Sequence, residues 1–336
     1  MRIHRYAALV VAASILGTAA CHSDKTGPNG SMTSFGGQAT AAITTAPGAG
    51  MSASLAATGA VPSTGGAVAA SLDSGGVTGL LDAESLEGSA IAQGSSSLSS
   101  SSATNVHLVL GTHVIIAAFV STTAQAQCTG GNPQVTGSTE VVGLEIDGQP
   151  VNVTGTPGQT IALTGGGQLV IDEETSTPNS ITVNGLHGTM SGGIDVIVAQ
   201  SEASITCGTR CPPPVGDFVT GGGWVTVNGA KGTFGFEAGE ANSATVGELE
   251  FNDHGSGLRV HSSSITGYTI VDATARTITG NTTVNGAAAT FTLTVTDNGE
   301  PGRNDTFDLK LSTGYEASGT LGGGNIQLHP DAANCQ

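Results

Sequence analysis

Short β-branched segments separated by turn residues recur through most of this chain, and they restrict its fold more than any other feature. The clearest example is Thr277–Val284 and Ala289–Thr296, two alternating segments that flank Asn285-Gly286. Asp147-Gly148 lies between two further apolar segments. Such dipeptides accept the positive φ that a two-residue hairpin turn requires. Many short strands with turns at these intervals are typical of a β-sandwich, so we predict an all-β protein.

The composition agrees with strands and excludes one class of partner. The 336 residues include 52 glycines and only 10% charged residues, whereas surface helices need many Glu, Lys and Arg side chains. Lys and Arg total 9 against 26 Asp and Glu, which gives a net charge of −17. A nucleic-acid phosphate backbone is bound by a basic surface, and this chain has no basic stripe. We therefore expect no nucleic-acid partner.

The N-terminus has the pattern of an export signal. Residues 1–20 begin with Arg2 and Arg5, continue with a short apolar run and end in small residues before Cys21. The segment resembles a lipobox, which predicts that Cys21 carries lipid and that a membrane is the first partner. Thr18 stands where an aliphatic residue is usual, so ordinary signal cleavage and free secretion is the alternative. The expected location is the cell envelope, on the surface or facing the periplasm.

Four cysteines remain when Cys21 is set aside: Cys128, Cys207, Cys211 and Cys335. An even number in an exported chain indicates disulfides, and four cysteines allow three pairings. We favour Cys128 with Cys207 and Cys211 with Cys335, because each pair then closes one module. A zinc site is disfavoured because the pair Cys207 and Cys211 has no second close pair and no nearby histidine.

The strand pattern divides the chain into a tether and two β domains. We predict a signal peptide at 1–20, a flexible Gly/Ser/Ala/Thr tether without regular structure at 21–76, a β domain at 77–207, a Pro-rich linker at 208–216 and a second β domain at 217–336. Each domain should be a β-sandwich or a jelly roll. Asn184-Gly185 is expected to form a turn and Asp172–Glu174 a solvated loop. The glycine runs 221–223 and 322–324 should let two edge strands approach closely, with Trp224 as a core anchor.

Ordered landmarks in both predicted domains resemble a known family. They are Gly137–Val151, Pro157–Ile161, Thr182–His187 and Ile205–Cys207 in the first domain, and in the second Val219–Trp224, Thr294–Pro301 and Asp305–Phe307. The first set resembles the choice-of-anchor P family of exported bacterial proteins, and the second resembles the β-rich domain that often follows it. The resemblance implies a surface-exposed module with a membrane or wall anchor. It carries no catalytic residues over to this chain.

One loop has the side chains of a cation site. Asp297, Glu300, Asn304 and Asp305 place carboxylate and amide oxygens in a short segment between two strands, and Ca²⁺ takes six to eight such oxygens. The spacing departs from the helical calcium-loop template, and the same residues are typical of a solvated turn. Calcium is therefore the one candidate cofactor, and both interpretations stay open.

The sequence contains no serine, cysteine or zinc protease arrangement and no phosphate-binding loop in a suitable context. We therefore expect a non-enzymatic, lipid-anchored surface protein that acts as a binding or structural module. Its partners beyond the membrane would be an envelope or extracellular protein or a glycan. The alternatives are a glycosidase-like envelope hydrolase, which would need two carboxylates facing each other across a cleft, and a calcium-dependent adhesion module.

Overall fold

The computed structural model describes residues 30–211, 216–241, 244–299 and 302–330. Most of these residues lie in antiparallel β-strands, which confirms the all-β class. The two helical segments within these ranges are single 3-10 turns, Pro47–Ala49 and Gly302–Asn304. No helix in the described ranges has the length and hydrophobicity needed to cross a membrane.

The first body is a sandwich of two sheets. The first sheet has the strand order β10-β11-β12-β13-β1-β2. The second has the order β3-β4-β5-β6-β8-β9, with β7 also paired to β6. The strands of this body are β1 Ser34–Ala46, β2 Met51–Ala57, β3 Gly66–Val77, β4 Leu81–Gln93, β5 Ser96–Leu110, β6 His113–Thr129, β7 Asn132–Val142, β8 Glu145–Ile146, β9 Gln149–Pro150, β10 Gln159–Leu163, β11 Gly167–Thr177, β12 Ser180–Met190 and β13 Ile194–Thr206.

The core of the sandwich lies between its two sheets. Leu86, Val106 and Leu108 from the second sheet and Leu186 and Val198 from the first are fully buried in one cluster. In a strand, successive side chains point to opposite faces, so the residues between these positions form the outer faces of the sheets. The outer face of the second sheet is where the rest of the molecule packs.

The second body is a single curled sheet of nine strands with the order β21-β20-β19-β18-β17-β16-β15-β14-β22. Its strands are β14 Phe218–Val227, β15 Ala230–Ala241, β16 Ala244–Asp253, β17 Leu258–Ile270, β18 Ala275–Val284, β19 Ala287–Thr296, β20 Thr306–Leu311, β21 Glu316–Thr320 and β22 Gly323–His329. The inner face is aromatic: Phe234, Phe251 and Phe307 stack on one another, with ring centroids 4.2 and 5.9 Å apart. The sheet curls so that β21 also contacts β14.

The predicted tether at 21–76 is wrong from Ser34 onward. β1 lies inside the first sheet, paired on one side with β13 and on the other with β2, and β3 is an edge strand of the second sheet. The low apolar content of this segment suggested disorder, but alanines such as Ala41 and Ala42 are fully buried here. Small side chains are sufficient at these positions of the core, because neighbouring strands supply the larger apolar side chains that pack against them. Residues 1–29 lie outside the described ranges.

The predicted turns have mixed outcomes. Asp147-Gly148 and Asn285-Gly286 adopt positive φ at both residues, as the hairpin prediction requires. Asn184-Gly185 does not form a turn, because β12 continues through it from Ser180 to Met190. Gly185 is needed for another reason. An added Cβ would lie 2.6 Å from Cγ1 of Val120 in the facing sheet, so this glycine permits close packing.

The two glycine runs do bring strands together. β14 pairs with β22, and an added Cβ at Gly223 would lie 2.3 Å from the carbonyl oxygen of Gly323. Of these two strands, only β22 lies at an edge of the sheet, since β14 also pairs with β15. The prediction for Trp224 is wrong: it is half-buried and lies outside the apolar cluster, with Nζ of Lys231 4.7 Å from its ring centroid.

Candidate functional site

The two bodies meet through polar side chains on the outer faces of their sheets. Ser85 of β4 lies 3.0 Å from the hydroxyl of Thr233 in β15, and Asn252 of β16 donates a hydrogen bond to the same serine at 3.1 Å. All three side chains are buried. On β22, the backbone N–H of Gly324 donates to a carboxylate oxygen of Glu140 at 3.0 Å. The interface is therefore hydrogen-bonded rather than apolar.

A small cleft, with a volume of about 50 Å³, lies in this interface. Eight strands supply its walls, β3 to β6 from the sandwich and β14, β15, β16 and β22 from the curled sheet. Most of the lining side chains carry hydroxyl, amide or carboxylate oxygens, and they are Glu87, Ser89, Ser100, Ser101, Ser102, Ser121, Thr122, Thr123, Thr220, Glu237, Glu248, Asn325 and Gln327. None of the described residues that line the cleft is a Lys or an Arg. The cleft is therefore acidic and rich in acceptors.

Four glutamates come together at this cleft. Glu237 and Glu248 are directly opposite each other on β15 and β16, and Glu250 lies two residues further along β16, on the same face. Glu87 reaches across from β4 and covers Gly235, where an added Cβ would lie 1.5 Å from the carboxyl carbon of Glu87. A glycine at 235 is thus what allows Glu87 to enter between the other carboxylates.

Burial in the cleft changes the ionisation of two of these acids. Burial, together with the nearby charge of Glu248, raises the pKa of Glu237 to about 8. Burial also raises the pKa of Glu248, although a hydrogen bond with Ser71 and the charge of His261 act in the opposite direction. Nδ1 of His261 is in contact with Glu250, whose side chain is only 2% exposed. Burial therefore favours the protonated form of Glu237 near neutral pH.

Comparisons with known proteins leave this site without a precedent. No family model matches the chain, and no curated protein matches it. A crystal structure of a protein provisionally named AttH, from Nitrosomonas europaea, aligns over 89% of this chain and 93% of its own. The identity is 7% and the TM-score is 0.22, so this similarity supports no conclusion about fold or function.

One of the two predicted disulfides is confirmed. Cys128 at the end of β6 and Cys207 after β13 form a disulfide that joins the two sheets of the sandwich. For the second predicted pair, Cys335 lies outside the described residues, and so does Cys21, the predicted lipid attachment site. The disulfide is consistent with an oxidising environment outside the cytoplasm.

The predicted calcium loop has a structural role in the described residues. Asp305 is fully buried, and its two oxygens accept hydrogen bonds from the backbone N–H groups of Asn298 and Ile326, both at 2.8 Å. Asp297 accepts one from Leu328 at 3.0 Å, and the carbonyl oxygen of Asn304 accepts one from Asn298. Glu300 lies outside the described residues. Within them, no group of three or more His, Cys, Asp or Glu side chains could hold a metal ion, and calcium binding here stays a prediction.

A second polar cluster lies on the first sheet, where a solvated acidic loop was predicted. That prediction is wrong, because Asp172–Glu174 belongs to β11. Glu173 contacts Nδ1 of His187 at 2.7 Å, and Asp195 contacts Nε2 at 3.2 Å. Partial burial lowers the pKa of His187, but the hydrogen bonds to Asp195 and Glu173 outweigh it, and the net change is upward. This cluster links the three adjacent strands β11, β12 and β13.

Sequence reasoning missed the four glutamates of the cleft. Glu237 follows Phe234 and Phe236, and Glu248 and Glu250 alternate with Leu249 and Phe251. This alternation places the acids on the face opposite the aromatic core, which a single sequence presents as the solvent face. Only the packing of the sandwich on that face encloses them.

Proposed function

We propose that this protein is exported, is held to a membrane by lipid on Cys21, and acts outside the cytoplasm as a non-catalytic binding module whose ligand site is the acidic cleft between its two bodies. The lipobox-like signal and the resemblance to choice-of-anchor P proteins support the location. The disulfide between Cys128 and Cys207 is consistent with it.

The observation that carries the binding role is the convergence of side chains from both bodies on one enclosed polar cleft. Binding sites are concave and contain a few converging polar groups, which a simple spacer does not need. Hydrolysis by two carboxylates needs one acid held protonated and one held ionised. Glu237 and Glu248 are the pair of carboxylates to which this alternative applies, and burial raises the pKa of both.

The anchoring part of the proposal is tested by labelling cells with a palmitate analogue. The wild-type protein should take up the label, and the Cys21→Ala variant should not. A wild-type protein that stays unlabelled while a known lipoprotein in the same cells is labelled would contradict lipid anchoring.

The non-catalytic part is tested against the strongest alternative, a glycosidase-like hydrolase, because two opposed glutamates are present. Purified protein should release no product from a panel of chromogenic glycosides between pH 5 and 9. Turnover that disappears in the Glu237→Gln variant but persists in Glu316→Gln would overturn the non-catalytic role. Glu316 is a suitable control because it is an exposed glutamate on β21 of the same sheet.

A further inference from the structure

Two large apolar side chains are exposed next to each other at one hairpin tip. Ile270 and Val271 are 57% and 55% exposed, at the tip formed by β17 and β18, where Thr269 to Thr274 are all exposed. The other exposed large apolar side chains of the described residues are Met32, just before β1, and Ile116, near the start of β6. Exposed apolar residues that stand singly need no explanation, whereas an adjacent pair is a candidate contact surface.

Met32 lies at the disulfide-linked end of the sandwich. It forms a β-bridge with Arg210, three residues after Cys207. Cys207 is bonded to Cys128, whose backbone N–H donates a hydrogen bond to the carbonyl oxygen of Ser95 at 2.8 Å. Ser95 belongs to the turn between β4 and β5. Met32 and this turn are therefore at the same end of the sandwich.

The hairpin tip lies at that end too. Gln93, the last residue of β4, donates a hydrogen bond to the carbonyl oxygen of His329 at 3.3 Å. His329 pairs with the first residue of β14, and Asp217, directly before that residue, forms a buried ion pair with Arg276 at 2.7 Å. Arg276 is the Cα partner of Ile270. The hairpin tip therefore shares one end of the molecule with the start of β1.

The chain between this end and Cys21 is short. Residues 22–29 separate Cys21 from Gly30, the first described residue, which stands two positions before Met32. A chain extends by at most about 3.3–3.6 Å per residue, so Cys21 lies within roughly 30 Å of Gly30. A lipid on Cys21 therefore keeps this end of the molecule close to the bilayer.

We propose that Ile270 and Val271 insert into the bilayer that holds the lipid, so that the protein stands with its hairpin tip towards the membrane. This inference rests on the lipid anchor proposed above and adds a second, apolar contact. Two side chains that are already half-buried give only a weak contact by themselves. The lipid makes that contact intramolecular, and a weak contact is then enough to hold an orientation.

The charged residue of the tip is compatible with this contact. Oδ1 of Asp272 accepts hydrogen bonds from the backbone N–H groups of Thr274 and Ala275, at 2.8 and 3.0 Å. The hydrogen bonds from Thr274 lower the pKa of Asp272, so the carboxylate is ionised at neutral pH. A hairpin that inserts only Ile270 and Val271 leaves this carboxylate among the polar headgroups.

The test is fluorescence quenching with the lipidated full-length chain in phosphatidylcholine vesicles whose acyl chains are brominated near the headgroup. Val271→Trp places an indole at the tip. Ile116→Trp is the matched control, because Ile116 is also exposed and lies near the start of β6, whereas Cys128 lies near its end. Trp224 is the same background in both variants. We expect the added emission of Val271→Trp to fall by at least about half, since an indole at the membrane interface meets the bromine atoms. The added emission of Ile116→Trp should not change.

A second substitution separates insertion from mere proximity to the membrane. Ile270→Ser in the Val271→Trp background should reduce the quenching, because half of the apolar contact is removed. Flotation of the wild-type chain with the same vesicles reports on the anchor independently. Flotation with equal quenching of the two tryptophan variants would overturn the inference and leave the lipid anchor intact. A lipid-labelled wild-type chain that floats but whose quenching is unaffected by Ile270→Ser would also overturn it. A wild-type chain that does not float would contradict the anchor itself, and the inference with it.

Discussion

Single charged residues in this protein have consequences that depend on what surrounds them. Asp217 and Arg276 form a buried bidentate pair, with Nε–Oδ1 and Nη2–Oδ2 distances of 2.7 and 2.9 Å, and Tyr268 donates a further hydrogen bond to the same carboxylate. Asp308 and Lys310 form an exposed pair at 3.6 Å. Each of the two pairs joins one carboxylate to one cation. Their energetic roles differ because only the first is removed from water.

Removal of Asp217 should destabilise the protein far more than removal of Asp308. Asp217→Ala leaves a buried guanidinium without its counter-ion, which costs about 3–5 kcal/mol. Asp308→Ala should cost less than about 1 kcal/mol, because exposed pairs contribute little. Urea denaturation of both variants measures the difference from the shift in midpoint. Similar midpoints for the two variants would show that the buried pair contributes no more than the exposed one.

At the scale of strands, the alternation of side chains in the first sheet is interrupted at three residues, which lie on one line across the sheet. Ala56, Asp172 and Ala199 have φ values of 47°, 56° and 58°, and strand pairing is interrupted at each of them. Positive φ is uncommon for residues other than glycine, and such interruptions bend a sheet. The bend leaves Leu169 to Asp172 buried in succession, so burial along β11 does not follow the alternation of a regular strand.

β1 should be among the most protected segments of the chain, although its composition predicts a flexible tether. Its amides between Thr40 and Thr45 lie between β13 and β2. Amides that open only with the whole domain are slowed by a factor that increases exponentially with the free energy of unfolding, here at least about 1,000-fold. Hydrogen exchange followed by mass spectrometry checks this, with the exposed turn at Gly130-Gly131 as the internal control. Equal exchange rates in β1 and in this turn would support the flexible tether and contradict a buried strand.

The disulfide should contribute much of the stability of the sandwich. Cys128 and Cys207 are 79 residues apart in sequence, and a cross-link over a loop of this length is worth about 4–5 kcal/mol in the chain-entropy model. The paired variant Cys128→Ser/Cys207→Ser should therefore unfold at a much lower urea concentration. Any further effect of reductant on this variant reports on the other predicted pair. An unchanged midpoint in the paired variant would mean that the sheets hold together without the cross-link.

At the scale of the whole molecule, the stability of the folded state is linked to pH through the cleft. The pKa of Glu237 is raised from 4.5 to about 8, so between these values the folded state retains a proton that the unfolded state loses. Stability therefore decreases as pH rises from about 4.5 to 8. The slope contributed by one group is at most about 1.4 kcal/mol per pH unit. Glu248, directly opposite on the neighbouring strand, increases the effect when it is ionised.

Glu237→Gln should remove much of this pH dependence, because the amide resembles the protonated acid and does not titrate. Urea midpoints at pH 5, 6.5 and 8 should converge for the variant relative to the wild type, and Glu316→Gln should follow the wild type. Parallel pH profiles for the wild type and Glu237→Gln would show that Glu237 titrates normally and that the two bodies do not enclose it.

The amino-acid sequence by itself determined the strand-forming character of this chain and its hairpin turns at Asp147-Gly148 and Asn285-Gly286, and it favoured the pairing of Cys128 with Cys207 among three possible pairings. These features depend on the alternation of apolar residues, on the φ preferences of turn residues and on the order of the cysteines along the chain. All three can be read directly from the sequence. Tertiary structure decided that Ser34–Ala46 is a buried strand and that Glu237 and Glu248 lie in a cleft. The physical reason is that burial depends on which face another sheet covers, and alternation distinguishes the two faces of a strand without saying what lies against either.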